Sequence, residues 1–195
     1  MGQAHGLEGS ALTRLKALYR ASGIKKRYSV INDYQSADQS QWTFYPTNKA
    51  LEPFPTTDDR AKLYRKEAQS LSAQAAKNAF NHANLSFQDI THLITISCTG
   101  MYAPGLDIDL IHQLGLKTSV ERTCVNFMGC YAAFTGIKLG DQICRANPKA
   151  KVLIVATELC TIHFQKGADD DNLLANAIFG DGSAAVIMSA EKTDS

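Results

Sequence analysis

The stretch Lys151 to Thr157 is almost wholly apolar. A strand of that kind hides both faces, so it belongs to a sheet covered by helices on either side. It has companions. His92 to Cys98 reads as another buried strand, Val120 to Asn126 as a third and Ser183 to Ser189 as a fourth. Between them, Asp107 to Leu114, Cys130 to Ala146 and Asn172 to Ile178 read as helices; Gly115 closes the first and Asn147-Pro148 the second,. The alternation predicts an α/β fold.

The upstream part is more mixed. Ala11 to Ser22 predicts a helix with Leu12, Leu15 and Leu18 on one side, ended by Gly23,. Ile24 to Asn32 reads as a short strand. Asp33 to Asp59 is polar, carries Pro46, Pro53 and Pro55, and reads as a long surface excursion of the sort that covers something or carries function,. Arg60 to Ala83 predicts a strong helix, with Asp58 and Asp59 before its start and Asn84 as its stop,. Residues 1–10 read as a flexible leader and 11–195 as one domain.

Bulk properties remove several function classes. A net charge of +1 leaves no global basic field for nucleic acid or an anionic membrane,. No apolar run reaches the roughly 18 residues of a membrane span, and residues 1–10 lack the apolar core of a secretory signal. Cys98, Cys124, Cys130, Cys144 and Cys160 form no C-x-x-C and no zinc-spaced cluster, so no metal site is expected,. Their odd number points to free thiols in a reducing cytoplasm. A doubly wound nucleotide-binding domain is disfavoured, because no G-x-G-x-x-G follows a first strand.

One cysteine has a distinctive setting. Cys130 follows the strand-like stretch Ser119 to Asn126 and the turn Phe127-Met128-Gly129, and it opens a helix-like stretch. The N–H groups and positive dipole end of a helix start favour a thiolate. A thiolate is the nucleophile that covalent acyl transfer requires. The other four cysteines read by default as packed, inert thiols.

With these features in place, Ile90 to Ala190 resembles the N-terminal half of the type III polyketide synthases, the chalcone and stilbene synthase family of thiolase-like fold. The residues that carry the resemblance are Ile90-Thr91-His92-Leu93, Cys98-Thr99-Gly100 with Pro104-Gly105, Leu114-Gly115-Leu116, Met128-Gly129-Cys130, Ala150-Lys151-Val152-Leu153 and Phe179-Gly180-Asp181-Gly182-Ser183-Ala184-Ala185, in family order. Ile24-Lys25-Lys26-Arg27-Tyr28 is similar to the family's segment after its first helix. The resemblance implies a mixed, mostly parallel sheet with helices on both faces. It implies loading of an acyl group from coenzyme A onto Cys130 and extension with malonyl-CoA by decarboxylative Claisen condensation. It implies acyl-CoA and malonyl-CoA as substrates, no covalently bound cofactor, and a homodimer or association through exposed apolar surface.

Residue by residue, the resemblance assigns Cys130 as nucleophile and Phe179 to the mouth of the acyl cavity. Cys98, Thr99, Met128, Cys160 and His163 fall on cavity-lining positions, and His163 also stands as a remote substitute base. Arg14 falls on a coenzyme A contact, while Ala17 and Ala21 occupy two further basic positions of the family. Ala103 replaces a family methionine that reaches across a dimer, which makes Gly100 to Gly105 a candidate dimer contact. Glu158 reads as a buried hydrogen-bonding scaffold residue, and Gly180-Asp181-Gly182 as a structural turn with glycines of positive φ. The family's catalytic histidine and asparagine belong to a second half that these 195 residues do not match. The chain is therefore expected to be incomplete at both ends and inactive alone in condensation. Two alternatives remain open: an initiating ketoacyl synthase of fatty-acid synthesis, and a non-catalytic truncated half-domain used for association.

Overall fold

A computed structural model describes residues 7–48, 50–81, 83 and 85–191. The expectations for the first six residues of the leader and for Asn84 as a helix stop lie outside these residues. The chain divides into two compact units, Met1–Lys62 with Leu159–Asp181 and Leu63–Glu158 with Gly182–Ser195.

The second unit is built on the sheet. Strands β1 (His92–Ser97), β2 (Glu121–Asn126), β3 (Lys151–Leu159) and β4 (Asp181–Ser189) lie in the order β2-β1-β3-β4. β1 runs parallel to both β2 and β3, within a sheet that is mixed overall. The central β1 is buried from Leu93 onward, whereas the edge strand β2 exposes Glu121 to Cys124. On one face Ile94, Ile96, Val125, Val152 and Ile154 pack with Ala132 and Cys144 of α4 (Ala132–Ala146). Gly136 allows that approach, because a Cβ there would lie 2.4 Å from Cδ1 of Ile96. The opposite face carries Ser97 and Thr157, and α2 (Thr57–Phe80) covers it. The Tyr64 hydroxyl donates to Ser97 Oγ at 2.7 Å, and Ser72 Oγ lies 2.6 Å from Thr157 Oγ1. Thr157 in turn pairs with Ser183 at 2.7 Å. These hydroxyls are tolerated in the interior because each has a partner. Helices thus cover both faces, and α3 (Leu106–Leu114) packs against β1 and β2 before Gly115 closes it in the left-handed conformation,.

The first unit contains α1 (Gly9–Ala21) and α5 (Asp170–Ile178), which pack together. The expected strand at Ile24 to Asn32 does not form. Its backbone groups are taken by side chains instead of a ladder: Val30 N–H by Asp181 Oδ2 at 2.8 Å, Ile31 N–H by Ser29 Oγ at 3.0 Å. The Tyr28 carbonyl accepts from Asp181 N–H at 2.8 Å. The excursion from Asp33 to Asp59 is also more than a surface loop, since Asp33, Tyr45 and Leu51 are buried. Tyr45, Phe54 and Phe164 form a ring cluster with centroid separations of 5.9 to 6.3 Å. Buried Arg60 lies over Phe54 at 5.0 Å and donates to the carbonyls of Pro55 and Ile162.

Element ends shift by a few residues. α1 starts at Gly9, inside the expected leader. α2 starts at Thr57, so Asp58 and Asp59 sit in its first turn, where their charge suits the helix dipole,. Thr56 and Asp59 exchange hydrogen bonds as a capping box,. α4 starts at Ala132 instead of Cys130, and α5 at Asp170.

Five of the seven tyrosines are raised above their ordinary pKa of 10, in each case chiefly by burial. Tyr45 and Tyr64 are pushed up to about 12. An unfolded chain loses these protons first, so their contribution to stability is complete below pH 10 and disappears as pH rises towards 12,. Alkaline titration should therefore show tyrosinate absorbance at 295 nm arriving in two stages, the second coincident with loss of far-UV circular dichroism. A single stage near pH 10 with the dichroism intact would contradict this burial.

Candidate active site

In the second unit, the chain leaves β2 at Asn126 and makes a tight turn before α4. Phe127 has φ +55° and Gly129 φ +78°, both left-handed. Glycine takes that conformation freely, but for phenylalanine it costs roughly 1–2 kcal/mol. Such strain persists only where surrounding contacts over-determine it. Phe127 N–H donates to the Ser97 carbonyl at 3.1 Å, at the end of β1. Ala132 N–H donates to the Gly129 carbonyl at 3.1 Å. Cys130 sits on this turn, exposed, two residues ahead of α4. The turn holds it outside the helix because Gly129 is left-handed and Tyr131 has ψ near 0.

Glu158, near the end of β3, organises the neighbouring loop. Its carboxylate accepts from Cys98 N–H at 2.9 and 3.1 Å, from Thr99 N–H at 3.0 Å and from the Thr99 hydroxyl at 2.6 Å. Glu158 displays the hydrogen-bonding scaffold role expected of it, but on a side chain that is partly rather than fully buried. Charge-assisted bonds of this kind are stronger than neutral ones. Cys98 extends the scaffold: its Sγ accepts from Gly129 N–H at 3.1 Å and donates to the Gly129 carbonyl at 3.4 Å. Cys98 and Thr99 are therefore brought up against the turn that bears Cys130. Met128 is on the turn itself and is partly exposed. Cys144 is buried in the core, and burial pushes its thiol pKa up, in keeping with an inert packing role.

In the loop after Thr99, Tyr102 is anchored to α3, its hydroxyl donating to Asp109 at 2.5 Å. Met101, Ala103 and Pro104 of this loop are exposed.

Phe179, Cys160, His163 and Arg14 belong to the first unit. Phe179 caps the C-terminus of α5 and is half exposed. Cys160 opens, and exposed His163 ends, a 3₁₀ turn after β3. Arg14 pairs with Asp170 at 2.8 Å, both side chains being about three-quarters exposed. An exposed pair of this kind is worth about 0–1 kcal/mol.

The Gly180-Asp181-Gly182 turn is structural, but not for the reason expected. Neither glycine has positive φ. A Cβ at Gly180 would lie 3.3 Å from the Tyr28 backbone oxygen, a tight contact. Asp181 bonds far along the chain, to Val30 N–H, Thr161 N–H at 2.7 Å and the Thr161 hydroxyl at 2.6 Å. Sequence reading missed this reach, along with the Cys98–Gly129 contact and the left-handed Phe127. No local signal marks any of the three.

The layered sheet and the cysteine-bearing turn are those of a thiolase-like fold. Residues 8–192 match the family described as chalcone and stilbene synthases, N-terminal domain, and the chain belongs to that family. It is 30% identical over 184 residues to type III polyketide synthase C of Arabidopsis thaliana, covering 93% of this chain and 46% of that protein. Among solved structures it is similar to PKS-I of the brown alga Ectocarpus siliculosus, at 33% identity and a TM-score of 0.83, over 91% of this chain and 47% of the other. It is also similar to 1,3,6,8-tetrahydroxynaphthalene synthase of Streptomyces coelicolor, at 30% identity and a TM-score of 0.77, over 95% and 49%. The chain spans less than half the length of each of these relatives.

Proposed function

We propose that this chain is the acyl-loading part of a type III polyketide synthase, with Cys130 as its nucleophile. The observation that carries the reading is the turn: an exposed thiol held by a strained, multiply tied backbone immediately before a helix. The thiolate attacks the carbonyl of an acyl-CoA thioester, the acyl–sulfur bond to coenzyme A breaks, and coenzyme A leaves as its thiolate. In extension, malonyl-CoA loses carbon dioxide and its carbanion attacks the Cys130 thioester, expelling the Cys130 thiolate. Cys130 carries the acyl group in both steps. In this reading Phe179, Cys98, Thr99, Met128, Cys160 and His163 fall on the family's cavity-lining positions, and Arg14 exchanges Asp170 for a coenzyme A phosphate.

Association of two copies belongs to the same reading. It is supported by Phe127, Met128, Tyr131, Phe134 and Ile137, which are all exposed on the turn and the first turns of α4,. Among the described residues no helix is long and apolar enough to cross a membrane. Residence in the reducing cytoplasm is supported by the five free thiols,.

The test is intact-mass detection of an acyl-thioester after incubation with an acyl-CoA. One acyl group per chain is expected, located at Cys130, released by neutral hydroxylamine, and reduced to background in Cys130→Ala. Labelling spread evenly over the five thiols, or surviving in Cys130→Ala, would sink the proposal.

A further inference from the structure

We infer that the Cys98 thiol is a positioning residue for Cys130, acting through the backbone of Gly129. This rests on the reading of Cys130 as nucleophile, and it gives Cys98 a role different from lining a cavity. Cys98 is fixed on its backbone side, where both carboxylate oxygens of Glu158 receive its N–H at 2.9 and 3.1 Å. Its side chain then grips one residue at both polar groups, taking Gly129 N–H at 3.1 Å and offering its proton to the Gly129 carbonyl at 3.4 Å. The Gly129 carbonyl and the Cys130 N–H belong to one planar peptide unit. Orienting the first therefore orients the second, and with it the start of the Cys130 side chain.

The grip falls where the turn most needs it. Gly129 has φ +78° and is separated by one residue from the strained Phe127. A glycine has more backbone freedom than any other residue, so its conformation must be held by its neighbours. Phe127 is tied to Ser97, the residue before Cys98, at 3.1 Å. Two consecutive residues at the end of β1 thus hold the two left-handed residues of the turn. Ser97 does so through its carbonyl and Cys98 through its sulfur. Replacing the thiol leaves the Phe127 tie intact and releases only Gly129 and the Cys130 backbone joined to it.

The experiment compares the full chain with Cys98→Ala, Cys98→Val and Cys98→Ser, and needs no acyl-CoA. Amide hydrogen exchange at Gly129 reads the grip, with the Phe127 amide as internal reference. The rate of Cys130 alkylation by iodoacetamide at neutral pH, located by peptide fragmentation, reads its consequence. In Cys98→Ala, Gly129 exchange should rise by about tenfold or more while Phe127 stays protected. Cys130 alkylation should fall by about fivefold, as the Cys130 backbone loses its fixed place on the turn ahead of α4,. Cys98→Ser, which keeps a donor and an acceptor, should restore both to within about threefold. If Cys98→Ala fails to fold, the comparison of Cys98→Val with Cys98→Ser reads the same two quantities. Gly129 exchange unchanged in the Ala or Val variant overturns the inference. Faster exchange with unaltered alkylation also overturns it, because Cys98 is then structural only. Neither outcome bears on whether Cys130 accepts acyl groups.

Discussion

Gly100→Ala should destabilise the second unit by about 3 kcal/mol, the upper end of the usual cost of forcing a methyl group into a packed interior. A Cβ at Gly100 would lie 2.1 to 2.3 Å from three carbons of the Tyr64 ring. That ring is 1% exposed, edges against Tyr102 with centroids 6.3 Å apart, and has its hydroxyl on Ser97. It has no free direction in which to retreat. The other way out is displacement of the 98–100 backbone, which breaks the bonds of Cys98 and Thr99 to Glu158. Either response reaches the turn before Cys130, so the mutant should also lose amide protection at Cys98 and Thr99. Urea denaturation followed by far-UV circular dichroism measures the loss. Gly182→Ala is the control, since a Cβ there meets nothing within 4 Å, and it should stay within about 0.5 kcal/mol of the parent. Equal midpoints for the two variants would show that the Gly100–Tyr64 contact is not limiting.

Asp33→Ala should cost the first unit about 3 kcal/mol, because it strips four donors, one of them the N–H of buried Tyr45, of their acceptor at once,. Asp33 is 4% exposed, and its carboxylate collects four donors. These are the N–H groups of Thr43 at 2.8 Å, Phe44 at 3.0 Å and Tyr45 at 2.7 Å, and the Thr43 hydroxyl at 3.2 Å. Alanine leaves them without partners, and each buried unsatisfied group costs about 1–3 kcal/mol before relaxation. The loss propagates to the ring cluster, because the same bonds seat Tyr45. Asp33→Asn keeps one accepting oxygen and should recover about half of the loss. The chain has one tryptophan, Trp42, directly beside this network, with its indole N–H on the Ser36 carbonyl at 3.0 Å. Its fluorescence therefore follows the first unit during urea unfolding. An unchanged Trp42 midpoint in Asp33→Ala would refute the hub.

Legibility differed between the parts of the chain for a physical reason. β1 and β3 were readable because strands buried on both faces are mostly apolar, and that pattern is local. The end of α3 was readable because only a residue tolerant of positive φ closes a helix in that way, and Gly115 does so,. The stretch 24–31 misled because its residues are extended and suit a strand, but its N–H groups found Asp181 and Ser29. The excursion from Asp33 to Asp59 misled because its polar composition concealed one carboxylate that gathers four donors. None of its prolines and glutamines is buried, while Tyr45 and Leu51 are inside.

For the candidate site, the sequence by itself determined the α/β layering, the family, and a cysteine on a glycine-bearing turn ahead of a helix. These are properties of neighbouring residues, and periodicity and turn chemistry register them along the chain. Tertiary structure alone decided that Cys130 stands outside α4, that Phe127 is left-handed, and that Glu158 and Cys98 hold the loop and turn around it. Those contacts join residues 31 to 60 positions apart, and hydrogen bonds between such residues leave no periodic trace in either segment.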